Sequence, residues 1–186
     1  MIKRRSQAAS GIPSPNHADN IILIGMPAVG KSTLGVLLAK RLGYAFADTD
    51  LLIQTGAGAT LQHIIADLGV EGFCDLEAEH VQRINPRRTV VATGGSVVYR
   101  PQAMAHLQKL GCILFLDIKL AALAERLKGM DARGVVRLPG QTIDQLFADR
   151  RPLYRRYAQI TIDCTHCPPE AVLQKVLAAL PTPGTH

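Results

Sequence analysis

The apolar positions of this 186-residue chain follow two alternating rhythms. Short runs of β-branched and large aliphatic residues at 20–25, 44–48, 88–93, 112–117 and 159–163 read as strands. Between them, apolar residues recur every three or four positions, predicting helices near 31–42, 50–55, 60–67, 70–84, 101–109, 119–128, 141–156 and 169–180. Leu34, Leu37, Leu38 and Leu42 form one such stripe; Val172, Leu173, Val176, Leu177 and Leu180 form another, opened by Pro168 and Pro169. Strands apolar on both faces, alternating with amphipathic helices, imply an α/β fold with a five-stranded parallel sheet covered on both sides. Residues 1–19 contain Gly11, Pro13, Pro15 and Asn16 without an apolar period and read as a flexible N-terminal arm. The domain is expected over 20–180, with a frayed tail at 181–186.

Between the first strand and the first helix stands Gly25-Met-Pro-Ala-Val-Gly30-Lys31-Ser32, a match to G-x-x-x-x-G-K-[ST]. Strand, glycine loop and helix is the context that gives this motif its meaning. Glycines at 25 and 30 let the backbone curl so that successive N–H groups point inward at phosphate oxygens, and the helix start adds positive potential there. Lys31 is expected to reach the β- and γ-phosphates of a nucleoside triphosphate, and the Ser32 hydroxyl to sit on Mg²⁺. The fold implied is therefore that of the P-loop NTPases.

Asp48-Thr49-Asp50 follows the second strand, and ligands in parallel sheets lie at the carboxyl ends of strands. One carboxylate is placed to order a Mg²⁺ shell and the other to orient or deprotonate an acceptor hydroxyl; both types are also common helix caps. Thr93-Gly94-Gly95-Ser96 ends the third strand, where paired glycines permit close backbone approach to a ligand or form a tight turn. Asp117 ends the fourth strand and is read as the N-cap of the helix at 119–128. Residues 129–140, carrying Arg133, Gly134, Arg137, Pro139 and Gly140 between two helices, read as a mobile lid that closes over the nucleotide and excludes water.

Composition narrows the class. Apolar residues at 47% and charged residues at 19% fit one compact domain. The net charge of +6 lies partly in Lys3, Arg4 and Arg5 and partly around 150–156; no recognition element accompanies it, and Trp is absent. Nucleic-acid binding is therefore not expected, whereas positive charge suits ATP and an anionic acceptor. No apolar run reaches membrane-spanning length and no signal-peptide core follows Met1. Cysteines at 74, 112, 164 and 167 are too few to staple a domain, which points to the cytoplasm. Cys164-Thr-His166-Cys167 has no second C-x-x-C to complete a zinc site.

These motifs together resemble the shikimate kinase family, over about 20–180. The resemblance rests on residues 25–33, Asp48-Thr49-Asp50, residues 69–77, Ala92-Thr93-Gly94-Gly95 and Arg150-Arg-Pro-Leu-Tyr154. It implies MgATP-dependent phosphorylation of a small-molecule hydroxyl, that of shikimate, within aromatic amino acid biosynthesis, and a monomer is expected. It places Gly25, Pro27, Ala28, Val29, Gly30, Lys31, Ser32 and Thr33 on the nucleotide, and Ser32 and Asp48 on the metal and its water shell. It places Asp50, Gly94, Gly95 and Arg150 on the acceptor, with Arg150 gripping its carboxylate and Asp50 serving as base. Arg133 most nearly matches the lid arginine that approaches the ATP phosphates.

Three features depart from that pattern. Val70 replaces a glutamate, and Cys74 stands where an arginine would pair with Arg150 around the acceptor carboxylate. A thiol supplies neither the charge nor the two donors of a guanidinium. Ser96 replaces the third glycine of a triplet, and the lid lacks an R-P-L-L run. The nucleotide side is intact while the acceptor side and lid differ. Other readings are thus a kinase of another hydroxylated metabolite, an ATP-binding protein without transfer activity, or a nucleoside or nucleotide kinase.

Overall fold

The computed structural model describes residues 20–128 and 135–180. Five strands, β1 (Asn20–Gly25), β2 (Ala45–Asp48), β3 (Thr89–Ala92), β4 (Gly111–Asp117) and β5 (Ile160–Asp163), form a sheet in the order β2-β3-β1-β4-β5. Every pairing is parallel, with Ile22 of β1 opposite Val91 on one side and Ile113 on the other. The helices are α1 (Lys31–Leu42), α2 (Thr49–Ala57), α3 (Leu61–Arg83), α4 (Pro101–Leu110), α5 (Leu120–Lys128), α6 (Ile143–Tyr157) and α7 (Pro169–Ala179).

Strand position explains strand composition. β1 and β3 are buried along their whole length, so both faces must be apolar and no alternation is visible in the sequence. β2 and β5 lie at the edges and keep exposed or half-buried residues. The two helices expected at 60–67 and 70–84 are one helical run broken at Gly69, whose φ of 69° and ψ of 178° leave the helical region. A capping box opens α6: the Thr142 side chain accepts from Gln145 N–H, and the Gln145 side chain accepts from Thr142 N–H. No helix among the described residues is long and apolar enough to cross a membrane.

Asp117 departs from its expected capping role. Among the described residues, the one backbone N–H that its carboxylate accepts is that of Ile118 at 3.0 Å, before α5 begins. The carboxylate instead receives Arg151 Nε at 2.9 Å and Nη2 at 2.8 Å, with Arg155 Nη2 at 3.3 Å. Two parallel charge-assisted bonds bind more tightly than a cap, so Asp117 fastens α6 to the end of β4. The lid expected at 129–140 is described only from Val135 onward, and Arg133 lies outside the described residues, as do the expected arm and tail.

Two apolar clusters hold the fold. The larger lies on the sheet and includes Ile22, Leu23, Leu38, Phe115 and Tyr154, the last two stacked at 5.2 Å. The smaller, Ile53, Ile64, Phe73, Cys74 and Val136, joins α2 and α3 to the segment before α6. At the amino end of the sheet, buried Asn20 donates to Pro86 O at 2.9 Å and Leu110 O at 2.8 Å and accepts from Thr89 N–H at 3.0 Å. Truncation would strand three backbone groups where water is excluded. Asn20→Ala is expected to lower unfolding free energy by about 2–3 kcal/mol in urea titration, with substrate KM values unchanged.

Candidate active site

The phosphate loop forms because β1 ends in Gly25 at φ 147° and α1 is preceded by Gly30 at φ 103°, conformations that side chains disfavour. A Cβ at Gly25 would also stand 2.7 Å from Leu116 O. Between these glycines Ala28 adopts φ 63°. Lys31 folds back under the loop, donating to Gly25 O at 2.8 Å and Met26 O at 3.0 Å. Burial lowers its pKa to about 8, an effect the neighbouring Asp50 opposes.

Asp48 joins loop and sheet. One oxygen accepts the Ser32 hydroxyl at 2.6 Å; the other caps α2, accepting from Asp50 N–H at 3.0 Å and Leu51 N–H at 3.4 Å. The helix-cap role and the placement beside Ser32 thus coexist in one side chain. Ser32 and Asp48 present adjacent hard oxygen donors beside a phosphate loop, a donor set that fits Mg²⁺ completed by phosphate and water oxygens. Capping also aims α2 so that Asp50 faces the cavity. Burial raises the pKa of Asp50, and Lys31 pulls it back. Between the two aspartates, buried Thr49 accepts Gly94 N–H at 3.1 Å and ties α2 to the third strand's exit.

A cavity of about 700 Å³ opens where these elements meet, lined among others by Lys31, Ser32, Asp50, Gly95, Ser96 and Arg150. Gly95 forms its floor, with Gly94 packed beneath it by close approach. A Cβ at Gly94 would stand 2.1 Å from Glu77 Oε1 and 2.6 Å from Asp50 Oδ1; one at Gly95 would stand 3.0 Å from Arg150 Nη1 and 3.1 Å from Pro27 Cδ. Tyr154 Oη fixes this floor by donating to Gly95 O at 2.6 Å. Arg150 is fully buried: Nε donates to Tyr99 Oη at 3.1 Å, Nη2 to Val136 O at 2.5 Å, and its guanidinium lies 5.0 Å from the Tyr99 ring centroid. A second cavity of about 360 Å³ adjoins the loop between Thr33, Leu34, Arg126, Cys167 and Pro169, with Arg126 donating to Val29 O at 2.8 Å.

The geometry therefore gathers Pro27, Ala28, Gly30, Lys31, Ser32, Thr33, Asp50, Gly95 and Arg150 around one cavity. Gly25 and Val29 shape the loop from beneath, Asp48 lies behind Ser32, and Gly94 lies below the floor. Arg137 donates to Gln141 O at 3.1 Å within its own loop. Cys74 is buried in the smaller apolar cluster, with burial and Glu77 pushing its thiol pKa up, so it stays neutral. Cys167 receives Lys175 Nζ at 3.1 Å, and no group of three metal-ligating side chains is found among the described residues.

Glu77 escaped the sequence reading. It is fully buried on α3, where Ser96 Oγ donates to its Oε2 at 2.5 Å. Burial raises its pKa to about 7, opposed by the Ser96 bond. The available signal was a carboxylate on the buried stripe Phe73, Glu77, Val81, at helical spacing. Arg150 sits on the same kind of stripe, Leu146, Arg150, Tyr154. Among the described residues, Glu77 Oε1 and Arg150 Nη1 are the buried side-chain polar atoms without a hydrogen-bond partner.

The raised Glu77 pKa carries a linkage consequence. The folded state keeps a proton that the unfolded chain releases near 4.5, so this contribution is full below about pH 4.5 and is lost by about pH 7. Glu77→Gln stays neutral throughout. Its stability relative to the parent protein is expected to rise between pH 5 and about pH 7 and then level off, read from melting temperatures across pH. A constant difference would exclude this titration.

The arrangement has close counterparts among known proteins. The family model described as "Shikimate kinase" matches residues 27–181. A shikimate kinase of Synechococcus elongatus is 36% identical over 170 residues, covering 88% of this chain and 87% of that protein. One from Thermodesulfovibrio yellowstonii is 37% identical over 161 residues, covering 85% and 92%. The structure of shikimate kinase from Acinetobacter baumannii in complex with shikimate superposes with a TM-score of 0.78 at 29% identity, covering 86% of this chain and 91% of that one. That of Aquifex aeolicus gives 0.72 at 31% identity, covering 86% and 94%. Fold, phosphate loop and sequence agree: the chain belongs to the shikimate kinase family.

Proposed function

We propose that this protein transfers the γ-phosphoryl group of MgATP to a hydroxyl of shikimate. The observation that carries the reading is the single cavity holding the phosphate-loop Lys31 and Ser32 at one end and Asp50 and Arg150 at the other. Bound MgATP would supply the transferable phosphoryl group and neutralise part of its charge. Gly25, Gly30 and the backbone between them cradle the phosphates, with Pro27, Ala28, Val29 and Thr33 shaping that cradle. The adjoining cavity beside Arg126 and Pro169 would take the adenine. Lys31, now on the Gly25 and Met26 carbonyls, would bind phosphate oxygens, and Ser32 and Asp48 would hold the Mg²⁺ and its water shell.

On the acceptor side, the unpartnered Arg150 Nη1 offers a charge-assisted bond to the carboxylate. Asp50, desolvated and therefore more basic than an exposed aspartate, orients the acceptor hydroxyl and takes its proton as the phosphoryl group transfers. Arg133 supplies further positive charge from the lid. A monomer in the cytoplasm is the state proposed, and the four free cysteines suit a reducing compartment.

The deciding measurement is ADP release from MgATP with and without shikimate, with the product identified by mass. Stimulated release with shikimate phosphate formed is expected. Tight MgATP binding without stimulation would move the reading to another hydroxylated acceptor, which the neutral Cys74 thiol beside the pocket favours. Lys31→Ala is expected to lower kcat about 10²–10³-fold, and Asp50→Asn about a hundredfold or more. Arg150→Lys should raise the acceptor KM about tenfold with the ATP KM unchanged, because a point charge cannot reproduce the guanidinium's fixed donors.

A further inference from the structure

Ser96 stands on the cavity wall beside Gly95, yet its hydroxyl is fully buried and committed. With Glu77 ionised, or its proton carried on the unpartnered Oε1, the Oγ–H donates to Oε2 at 2.5 Å and the hydroxyl has no proton left for a ligand. A serine hydroxyl carries one donor and two acceptor lone pairs, and fixing the donor fixes the polarity of what remains. Toward the cavity Ser96 can only accept. One residue away, Arg150 Nη1 lies 3.0 Å from the Cβ position of Gly95, buried and without a partner. Arg150 can only donate. The cavity lining thus combines, next to Gly95, a serine whose only donor is committed and a cationic donor without a partner.

We propose that Ser96, held in one orientation by Glu77, is a specificity-determining residue that accepts a hydrogen bond from a non-reacting hydroxyl of the acceptor while Arg150 takes its carboxylate. The class selected is a hydroxylated carboxylate with a second hydroxyl placed to reach Ser96. Glu77 acts here as a positioning residue, not as a ligand contact. Cys74 allows the arrangement because its neutral thiol leaves Glu77 to Ser96, where a cation at that place would compete for the carboxylate. Shikimate, with two hydroxyls besides the reacting one, satisfies this requirement, so the inference rests on the acceptor reading given above.

The test is a cycle of steady-state kinetics on the full chain, pairing Ser96→Ala with shikimate and with analogues lacking each non-reacting hydroxyl in turn. Ser96→Ala should raise the shikimate KM about tenfold and leave the ATP KM unchanged. Removing one particular hydroxyl should raise the KM of the parent protein by a similar factor and add nothing further in Ser96→Ala. Glu77→Gln, which keeps size but frees the serine to turn, should give a smaller rise in acceptor KM with the ATP KM again unchanged. An unchanged shikimate KM in Ser96→Ala, or losses that simply add for both hydroxyls, would overturn the proposal. If the parent protein ignores shikimate but phosphorylates another member of a panel of hydroxylated carboxylates, the acceptor reading alone falls. The same cycle on that acid then decides the role of Ser96. Turnover with no acceptor would overturn both.

Discussion

Four ionisable side chains, Lys31, Asp50, Glu77 and Arg150, are packed into one water-poor region, and the local architecture is organised around making that burial tolerable. An isolated buried charge is driven toward its neutral form, whereas one facing an opposite charge or a dipole can remain. Lys31 therefore lies against two loop carbonyls and near Asp50, and Arg150 against Tyr99 and the Val136 carbonyl. Glu77 has a hydroxyl and a raised pKa instead of a full counterion. The glycines at 94 and 95 are what let these groups approach one another, since a side chain at either would occupy the meeting point.

This electrostatic arrangement depends on the sheet beneath it. Parallel strands bring the exits of β1, β2 and β3 to one edge, so the phosphate loop, the D-T-D segment and the glycine floor become neighbours despite their separation in the chain. Asn20 locks the opposite edge, and Asp117 fastens α6 so that Arg150 and Tyr154 reach the floor. A charge pair and an amide outside the cavity lining thereby help place the elements that carry the groups lining it.

Much of the fold was legible because its signals are local. Unbroken apolar runs identified β1 and β3, and three-four spacing identified α1 and α7 to within a residue or two. The phosphate loop was legible for the same reason, being contiguous. Asp117 was misread because its arginine partners lie 34 and 38 residues away and a cap is the nearest local explanation. Glu77 was passed over because it sat inside a helix read for apolar spacing. Its importance comes from Ser96, on another element, and from a floor that only the tertiary structure assembles.

The division of the interior into two clusters has an evolutionary consequence. Ile53, Ile64, Phe73, Cys74 and Val136 share no buried member with the core on the sheet, yet two of them, Phe73 and Val136, line the cavity that holds Asp50 and Arg150. Regions with few buried apolar contacts open more readily than a central sheet and form separate units of stability. Drift in this small cluster can reshape recognition while the nucleotide machinery and its supporting strands stay folded. The Cys74 departure falls on this separable side, where a change can be absorbed without rebuilding the phosphate loop and the strands that carry it.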